Sequence, residues 1–156
     1  MLVGVPKEIK TQEFRVGLVP SSVGELAHNG HRVLIETNAG KGIGASDDEY
    51  RAAGAEIAGC ASDVFAKSDM IVKVKEPQPN EWVQLSPNQI LFTYLHLAAD
   101  VQQARGLIKS GCTAIAYETI TDDYGGLPLL APMSEVAGRL AVIEGASHLK
   151  ANLGGR

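Results

Sequence analysis

Residues 70–75, MIVKVK, and residues 90–96, ILFTYLH, are two short, strongly apolar stretches rich in β-branched and aromatic side chains. Runs of this kind, bounded by turn residues, are typical of buried strands in a parallel sheet. The two runs end in Lys75 and His96. Because ligands of open α/β sheets bind outside the carboxyl ends of the strands, the sequence places a cation and an imidazole where such sheets bind ligands.

Strands and helices alternate along the rest of the chain. The pattern predicts further strands at residues 2–5, 33–35 and 113–117, giving five clear strands, and helices at 20–30, 47–53, 63–67 and 101–109. Ser22 and Glu25 fit a capping box in the first helix, residues 77–79 (PQP) indicate a broken link, and Leu107 and Ile108 are expected to face inward. The alternation predicts an α/β fold with a mostly parallel sheet flanked by helices, Rossmann-like or flavodoxin-like.

The last segment differs from this alternation. Residues 134 to about 151 consist largely of good helix formers and follow the turn-like sequence DDYGG at residues 122–126. A long helix after a complete sheet is often a connector. We therefore expect one domain over residues 1–131 and a connector helix over residues 132–156.

Composition excludes several classes of function. The chain has 156 residues, a net charge of −4 and a pI near 5.5, which argues against nucleic-acid binding because that function needs a basic surface. Two cysteines without clustered spacing predict neither a metal site nor a disulfide framework. Unpaired thiols and the lack of a signal peptide favour the cytoplasm, and no apolar run approaches the ~20 residues of a membrane span.

Two cationic side chains are candidates for binding an anion. Arg15 has a planar guanidinium that can bind a carboxylate through two hydrogen bonds, although this segment alone favours a surface ion pair with Glu13 or Glu8. Lys75 could bind a carboxylate or polarise a carbonyl group. It could equally be a lysine that pairs with Glu76 and lies along the surface.

His96 is the candidate proton carrier, because imidazole titrates near neutrality. The alternative is a histidine at a helix start or in the core. Residues 40–44, GKGIG, lack the second half of either nucleotide fingerprint and precede Asp47 and Asp48, so we expect a plain loop. No G-x-G-x-x-G follows a predicted strand with an acidic residue about twenty positions later. A nicotinamide-dependent enzyme would therefore need a dinucleotide domain outside this chain.

Several separated motifs resemble those of one family. They are GVPKEIK at residues 4–10, RV at 15–16, VKEP at 74–77, FTYLHLA at 92–98, AYE at 116–118 and PMSEVAGR at 132–139. The motifs and their order along the chain resemble those of alanine dehydrogenases and nicotinamide nucleotide transhydrogenases. The motifs from residue 74 onward resemble those of the alanine dehydrogenase branch. Gln12, Gly17 and Val19 depart from the usual family residues beside Arg15.

The resemblance implies the reversible oxidative deamination of L-alanine, in which NAD⁺ and water give pyruvate, ammonium and NADH. It identifies the chain as the amino-terminal, substrate-domain portion of such an enzyme. Residues 132–156 would lead toward an NAD-binding Rossmann domain that this chain does not contain. The isolated chain is therefore expected to be inactive, and a sheet face left uncovered would favour a homo-oligomer.

The resemblance also implies roles for individual residues. Arg15 and Lys75 would hold the substrate carboxylate and polarise its carbonyl, and His96 would act as the general acid and base. Tyr94 and Met133 would line the pocket, and no metal is expected. Ser134 would contact the cofactor, NAD.

Three other functions stay open at this stage. The chain could be one subunit of a split, transhydrogenase-like enzyme, with a partner chain that supplies the nucleotide domain. It could instead be a non-catalytic module that binds pyruvate or alanine. A lysine-forming saccharopine dehydrogenase is a weaker alternative, because residues 94–96 and 133–135 argue against it.

Overall fold

The computed structural model describes residues 1–155, and it confirms the α/β fold. In this part of the chain, six parallel strands form one sheet in the order β3-β2-β1-β4-β5-β6. The strands are β1 (Leu2–Val5), β2 (Arg32–Glu36), β3 (Glu56–Ala58), β4 (Met70–Val72), β5 (Ile90–Thr93) and β6 (Thr113–Ala116). The helices are α1 (Pro20–His28), α2 (Asp47–Ala52), α3 (Ala61–Lys67), α4 (Pro79–Trp82), α5 (Val101–Ser110) and α6 (Ala131–His148).

The strand order is that of a doubly wound sheet with its switch point between β1 and β4. From β1 the chain builds outward through β2 and β3, then returns to the other side of β1 and continues through β4, β5 and β6. Loops after β1 and after β4 therefore leave the sheet on opposite faces. The crevice between their carboxyl ends is the usual ligand site of such sheets.

Both faces of the sheet are buried along the inner strands, and the alternation of side chains along each strand explains the two cores. On one face, Val33 and Ile35 pack in an apolar cluster that includes Tyr50 of α2. On the other face, Leu34 of the same strand packs in a cluster with Phe65 of α3. Apolar residues at consecutive strand positions thus serve two cores and hold the sheet between its helices.

Several predicted boundaries differ from the structure. The sheet has a sixth strand, Glu56–Ala58, which the sequence did not reveal because it contains only one large apolar side chain, that of Ile57. β4 ends at Val72 and β5 at Thr93, earlier than predicted, because the chain bends at residues 74–75 and turns at residue 96. Residues 79–82 form α4 because proline is favoured in the first turn of a helix.

Two predictions about the helices are wrong. Helix α1 begins at Pro20 with Val19 as its cap and no side-chain cap bond, so Ser22 lies inside the helix and forms no capping box. A capping box occurs instead at α2, between Ser46 and Glu49. In α5, Leu107 is buried but Ile108 is 81% exposed, because consecutive helical residues point about 100° apart.

The chain divides into two compact units, Met1–Ala116 and the segment that starts at Tyr117. The first unit contains the whole sheet. The second contains α6, which begins at Ala131, before the predicted residue 134, with a proline in its first turn. A turn precedes the helix, in which Asp122 Oδ1 accepts hydrogen bonds from the backbone N–H of Tyr124 and of Gly126. Within residues 1–155, no helix is long and apolar enough to cross a membrane.

The close approach of α3 to β1 gives a test of the packing. A Cβ atom added at Gly4 would lie 2.8 Å from Val64 Cγ1 and still closer to Ser68 Oγ. Because hydrogen bonds hold β1 on both sides, Gly4→Ala is expected to lower the free energy of unfolding by about 1–3 kcal/mol. Gly24→Ala in α1, where nothing lies within 4 Å of the added Cβ, should raise it by about 0.5–1 kcal/mol. Urea denaturation measures both, and a neutral Gly4→Ala would contradict this packing.

Candidate functional site

The carboxyl ends of β1, β4 and β5 lie side by side in the sheet. Gly4 of β1 pairs with Ile71 of β4, and Val72 of β4 pairs with Phe92 of β5. The segments that follow these three strands contain Glu8 and Arg15, Lys73 to Lys75, and Tyr94 to His96. The topology therefore brings residues distant in sequence to one edge of the sheet, at the switch point.

A fully buried lysine lies at the centre of this edge. Lys73 Nζ lies 2.7 Å from Glu81 Oε1 and 3.2 Å from Glu8 Oε2, and all three side chains are almost wholly excluded from solvent. Burial raises the pKa of Glu8, although the positive charge of Lys73 opposes that shift. Sequence reasoning did not single out these residues. The signal was present, because a lysine within an apolar strand run is almost never buried without a partner.

Glu8 also fixes the backbone that carries Lys75. Its Oε1 accepts a hydrogen bond from Val74 N at 2.7 Å and a longer one from Lys75 N at 3.4 Å. From β5, Thr93 Oγ1 donates to Lys75 O at 2.8 Å. The Lys75 peptide units are thus held from two neighbouring strands.

The Lys75 side chain is half-buried, and no residue among 1–155 accepts a hydrogen bond from its ammonium or pairs with it. Glu76, the partner considered from the sequence, pairs with Lys10 instead. The positive charge of Lys75 helps to lower the pKa of both Glu13 and Glu76. The structure therefore presents a cation at the switch point without neutralising it by direct contact.

Arg15 forms the ion pair that its own segment favoured. Its Nε donates to Glu13 Oε1 at 2.8 Å, and its Nη2 lies 2.5 Å from Glu13 Oε2. These hydrogen bonds lower the pKa of Glu13 to about 2, so the pair persists at neutral pH. Its contribution to stability is present above the ordinary glutamate pKa and is lost as the pH falls toward about 2. Glu13 thereby fixes the plane of the guanidinium of Arg15.

Tyr94 packs against the imidazole of His96. The rings of Tyr94 and His96 stack with centroids 5.9 Å apart and planes 10° apart. Glu13 raises the pKa of Arg15, and Tyr94 adds a smaller electrostatic contribution in the same direction. Arg15, Lys75, Tyr94 and His96 therefore occupy one neighbourhood, which we call the strand-end cluster. A cavity of about 350 Å³ is lined by residues that include Glu13 and Arg15, but Lys75, Tyr94 and His96 are not among its lining residues.

The backbone of His96 is unusual. It adopts the left-handed conformation, with φ 50° and ψ 38°, three residues after the end of β5, and its side chain is exposed. A side chain with a Cβ atom pays about 1–2 kcal/mol for this conformation. Strained residues of this kind cluster at functional sites.

Met133 and Ser134, the other two predicted site residues, belong to the second unit. Both lie in the first turn of α6, and both side chains are exposed. In this unit the helix begins with a proline, and the backbone N–H groups of both residues bond to Leu130 O. Methionine and serine side chains are thus presented on the first turn of a helix.

Comparison with known proteins assigns the family. Residues 4–137 match the family described as "Alanine dehydrogenase/PNT, N-terminal domain". The chain belongs to this family. It is 52% identical over 156 residues to an alanine dehydrogenase of Mycobacterium tuberculosis strain H37Rv and 51% identical over 156 residues to that of Bacillus subtilis strain 168. All of the chain is covered in both comparisons, but only 42% and 41% of those two proteins.

Solved structures of the same family agree with this assignment. A structure titled "L-alanine dehydrogenase" matches the whole chain with a TM-score of 0.92 and 53% identity, over 43% of its own length. A transhydrogenase from Sinorhizobium meliloti matches 77% of the chain with a TM-score of 0.72 and 28% identity, over 36% of its own length. The chain thus spans less than half of each of these relatives.

The left-handed backbone of His96 can be tested with two variants that both remove the imidazole. His96→Gly and His96→Ala differ only in the Cβ atom, which is costly in this conformation. We expect the glycine variant to be more stable by about 1 kcal/mol, even though glycine loses more chain entropy on folding. Chemical denaturation measures the difference. A more stable alanine variant would show that residue 96 is not left-handed.

The buried lysine provides a second test. Lys73→Met leaves Glu8 and Glu81 without a cation and should lower the free energy of unfolding by about 3–5 kcal/mol at neutral pH. Lys67→Met, which breaks an exposed pair with Asp63, should cost at most about 1 kcal/mol.

The loss of unfolding free energy in Lys73→Met should depend on pH. Without Lys73 the pKa of Glu8 should rise further above its ordinary value, so its ionisation destabilises the folded state as the pH rises through that range. The difference between Lys73→Met and wild type should therefore shrink below the ordinary glutamate pKa. A difference that is constant with pH would contradict a buried carboxylate cluster.

Proposed function

We propose that this chain is the substrate-binding portion of an NAD-dependent L-alanine dehydrogenase, and that it has no turnover by itself. In the reaction, L-alanine, NAD⁺ and water give pyruvate, ammonium, NADH and a proton. The observation that supports the proposal most strongly is the strand-end cluster, in which two cations and an imidazole follow three neighbouring strands, β1, β4 and β5, beside the switch point of a doubly wound sheet. Whole-chain similarity to alanine dehydrogenases supports the same reaction.

The substrate is a small acid with one anionic group and one reacting carbon, and the cluster has groups for both. Arg15, with its plane fixed by Glu13, and Lys75, with its backbone fixed by Glu8 and Thr93, would bind the carboxylate and polarise the carbonyl oxygen of pyruvate. Polarisation by a cation stabilises the negative charge that develops on that oxygen when ammonia adds. Tyr94 would line the pocket, and the family resemblance assigns substrate binding to Met133 as well.

His96 would be the general acid and base. Its exposed imidazole can give a proton to the oxygen as the carbinolamine loses water, and can take it back in the other direction. The stacked ring of Tyr94 restricts the orientations of the imidazole. We assign no metal to this reaction.

NAD⁺, when bound, supplies the hydride acceptor for the oxidation of L-alanine. Ser134 fits a role in holding it, because its side chain is exposed on the first turn of a helix. The turn after β1 contains Pro6, Lys7 and Glu8 where dinucleotide-binding sheets have glycines. We therefore propose that the main nucleotide site belongs to a domain outside these 156 residues.

We also propose a cytoplasmic, homo-oligomeric protein. Cys60 and Cys112 form no disulfide, which fits a reducing compartment. Ile108 on α5 is exposed, as is Ile115 on the outer strand β6, and apolar residues in such positions favour self-association. No nucleic-acid or membrane partner is proposed.

Pyruvate binding and turnover, measured separately on the purified chain, test the proposal. Calorimetry should detect pyruvate binding, and Lys75→Ala should weaken it at least tenfold, because one charged hydrogen bond contributes about 1.5–3 kcal/mol. Lys67→Ala, at an exposed position on α3, should bind pyruvate like the wild type. Alanine-dependent formation of NADH should be undetectable at high protein concentration.

The outcomes distinguish the parts of the proposal. Turnover by the isolated chain would contradict the assignment of the nucleotide site to another domain. Pyruvate binding that Lys75→Ala leaves unchanged would contradict the assigned substrate site.

A further inference from the structure

We propose that Gln103 is a positioning residue for His96. In this account, a hydrogen bond from its side-chain amide to the carbonyl of Leu95 holds His96 in the left-handed conformation that presents the imidazole at the strand-end cluster. The functional meaning of this role rests on the proposed function, whereas the conformational effect does not.

Gln103 donates a hydrogen bond to the peptide unit that precedes His96. Gln103 Nε2 lies 2.8 Å from Leu95 O, and the Gln103 side chain is only 1% exposed. That carbonyl belongs to the peptide unit whose nitrogen is that of His96. Because the orientation of a peptide plane sets φ of the residue that follows it, the bond acts directly on φ of His96.

The peptide unit that follows His96 is also held by a hydrogen bond. Its own carbonyl accepts a hydrogen bond from Ala99 N at 3.0 Å. Asp100 then caps α5, with its Oδ1 accepting from Gln102 N at 2.9 Å and Gln103 N at 3.1 Å. His96 is thus held by its preceding peptide plane through Gln103 and by its following one through the turn that leads into α5.

Burying the side-chain amide of Gln103 is energetically unfavourable unless the amide is hydrogen-bonded. Residue 103 is as buried as its neighbour in the core, Leu107, which is 6% exposed. An apolar residue would satisfy burial, whereas an amide there requires compensating hydrogen bonds. The bond to Leu95 supplies such compensation and also fixes a strained backbone, a combination that packing alone would not require.

The test uses two glutamines on one helix. Gln103→Met keeps the length and flexibility of the side chain but removes its donor, and Gln102→Met makes the same change at an exposed neighbour. Backbone NMR chemical shifts of His96, recorded without ligand, should move from left-handed toward extended values in Gln103→Met and stay in place in Gln102→Met. Unchanged His96 shifts in a folded Gln103→Met would overturn the proposal.

A second measurement needs no substitution and stays informative if Gln103→Met fails to fold. The side-chain amide protons of Gln103 should exchange with solvent at least about tenfold more slowly than those of Gln102, because a buried hydrogen bond must open first. Equal exchange rates would overturn the proposal.

The functional consequence is measured with pyruvate as the probe. Gln103→Met should weaken pyruvate binding by about fivefold, equivalent to the loss of one neutral hydrogen bond, and should reduce the change that added pyruvate causes in the NMR signals of the His96 imidazole. Gln102→Met should alter neither. Displaced His96 backbone shifts, with pyruvate binding and the imidazole response to pyruvate both unchanged, would overturn the positioning role. Absence of pyruvate binding by the wild-type chain would instead contradict the proposed function and leave the backbone measurements valid.

Discussion

A single buried ammonium group determines how the candidate site is built. Lys73 lies between two buried carboxylates, and one of them, Glu8, also accepts hydrogen bonds from the peptide units of Val74 and Lys75. Taking these three charges out of water is unfavourable unless each is paired. The segments after β1 and β4 and the start of α4 must therefore meet in one arrangement, and that arrangement carries Lys75 to the switch point.

The functional groups themselves are supported by buried polar side chains. Glu13 orients Arg15, Thr93 and Glu8 hold the backbone of Lys75, and Gln103 contacts the peptide that precedes His96. Such support restricts a side chain to few conformations and lowers the entropy lost when a ligand binds. The topology brings the segments together, and these buried contacts then set the orientations within them.

Much of the fold follows from the sequence, because strand runs and helix periodicity are local signals. The runs at residues 70–75 and 90–96 predicted two neighbouring strands, β4 and β5, and placed Lys75 and His96 after them, as the structure has them. Both strands were predicted to be too long, because apolar side chains continue through Val74 and Leu95, beyond the last residues of β4 and β5. β3 has only one large apolar side chain, that of Ile57, and so lacks the apolar run that revealed β4.

The contacts around the site could not be predicted in the same way. Glu8 and Lys73 are 65 residues apart in sequence, and no local pattern pairs them. The left-handed backbone of His96 depends on contacts from α5, so its own residue type gave no warning. The ion pair of Arg15 with Glu13 is local, and sequence reasoning did anticipate it.

The central claim is that a small keto acid binds where β1, β4 and β5 end. A titration of the isotopically labelled chain with pyruvate, followed by amide chemical shifts, tests it most directly. We expect that, within residues 1–116, the largest perturbations fall at Arg15, Lys75, Tyr94 and His96. Perturbations centred on the opposite edge of the sheet, or no saturable perturbation at any of these four residues, would contradict it.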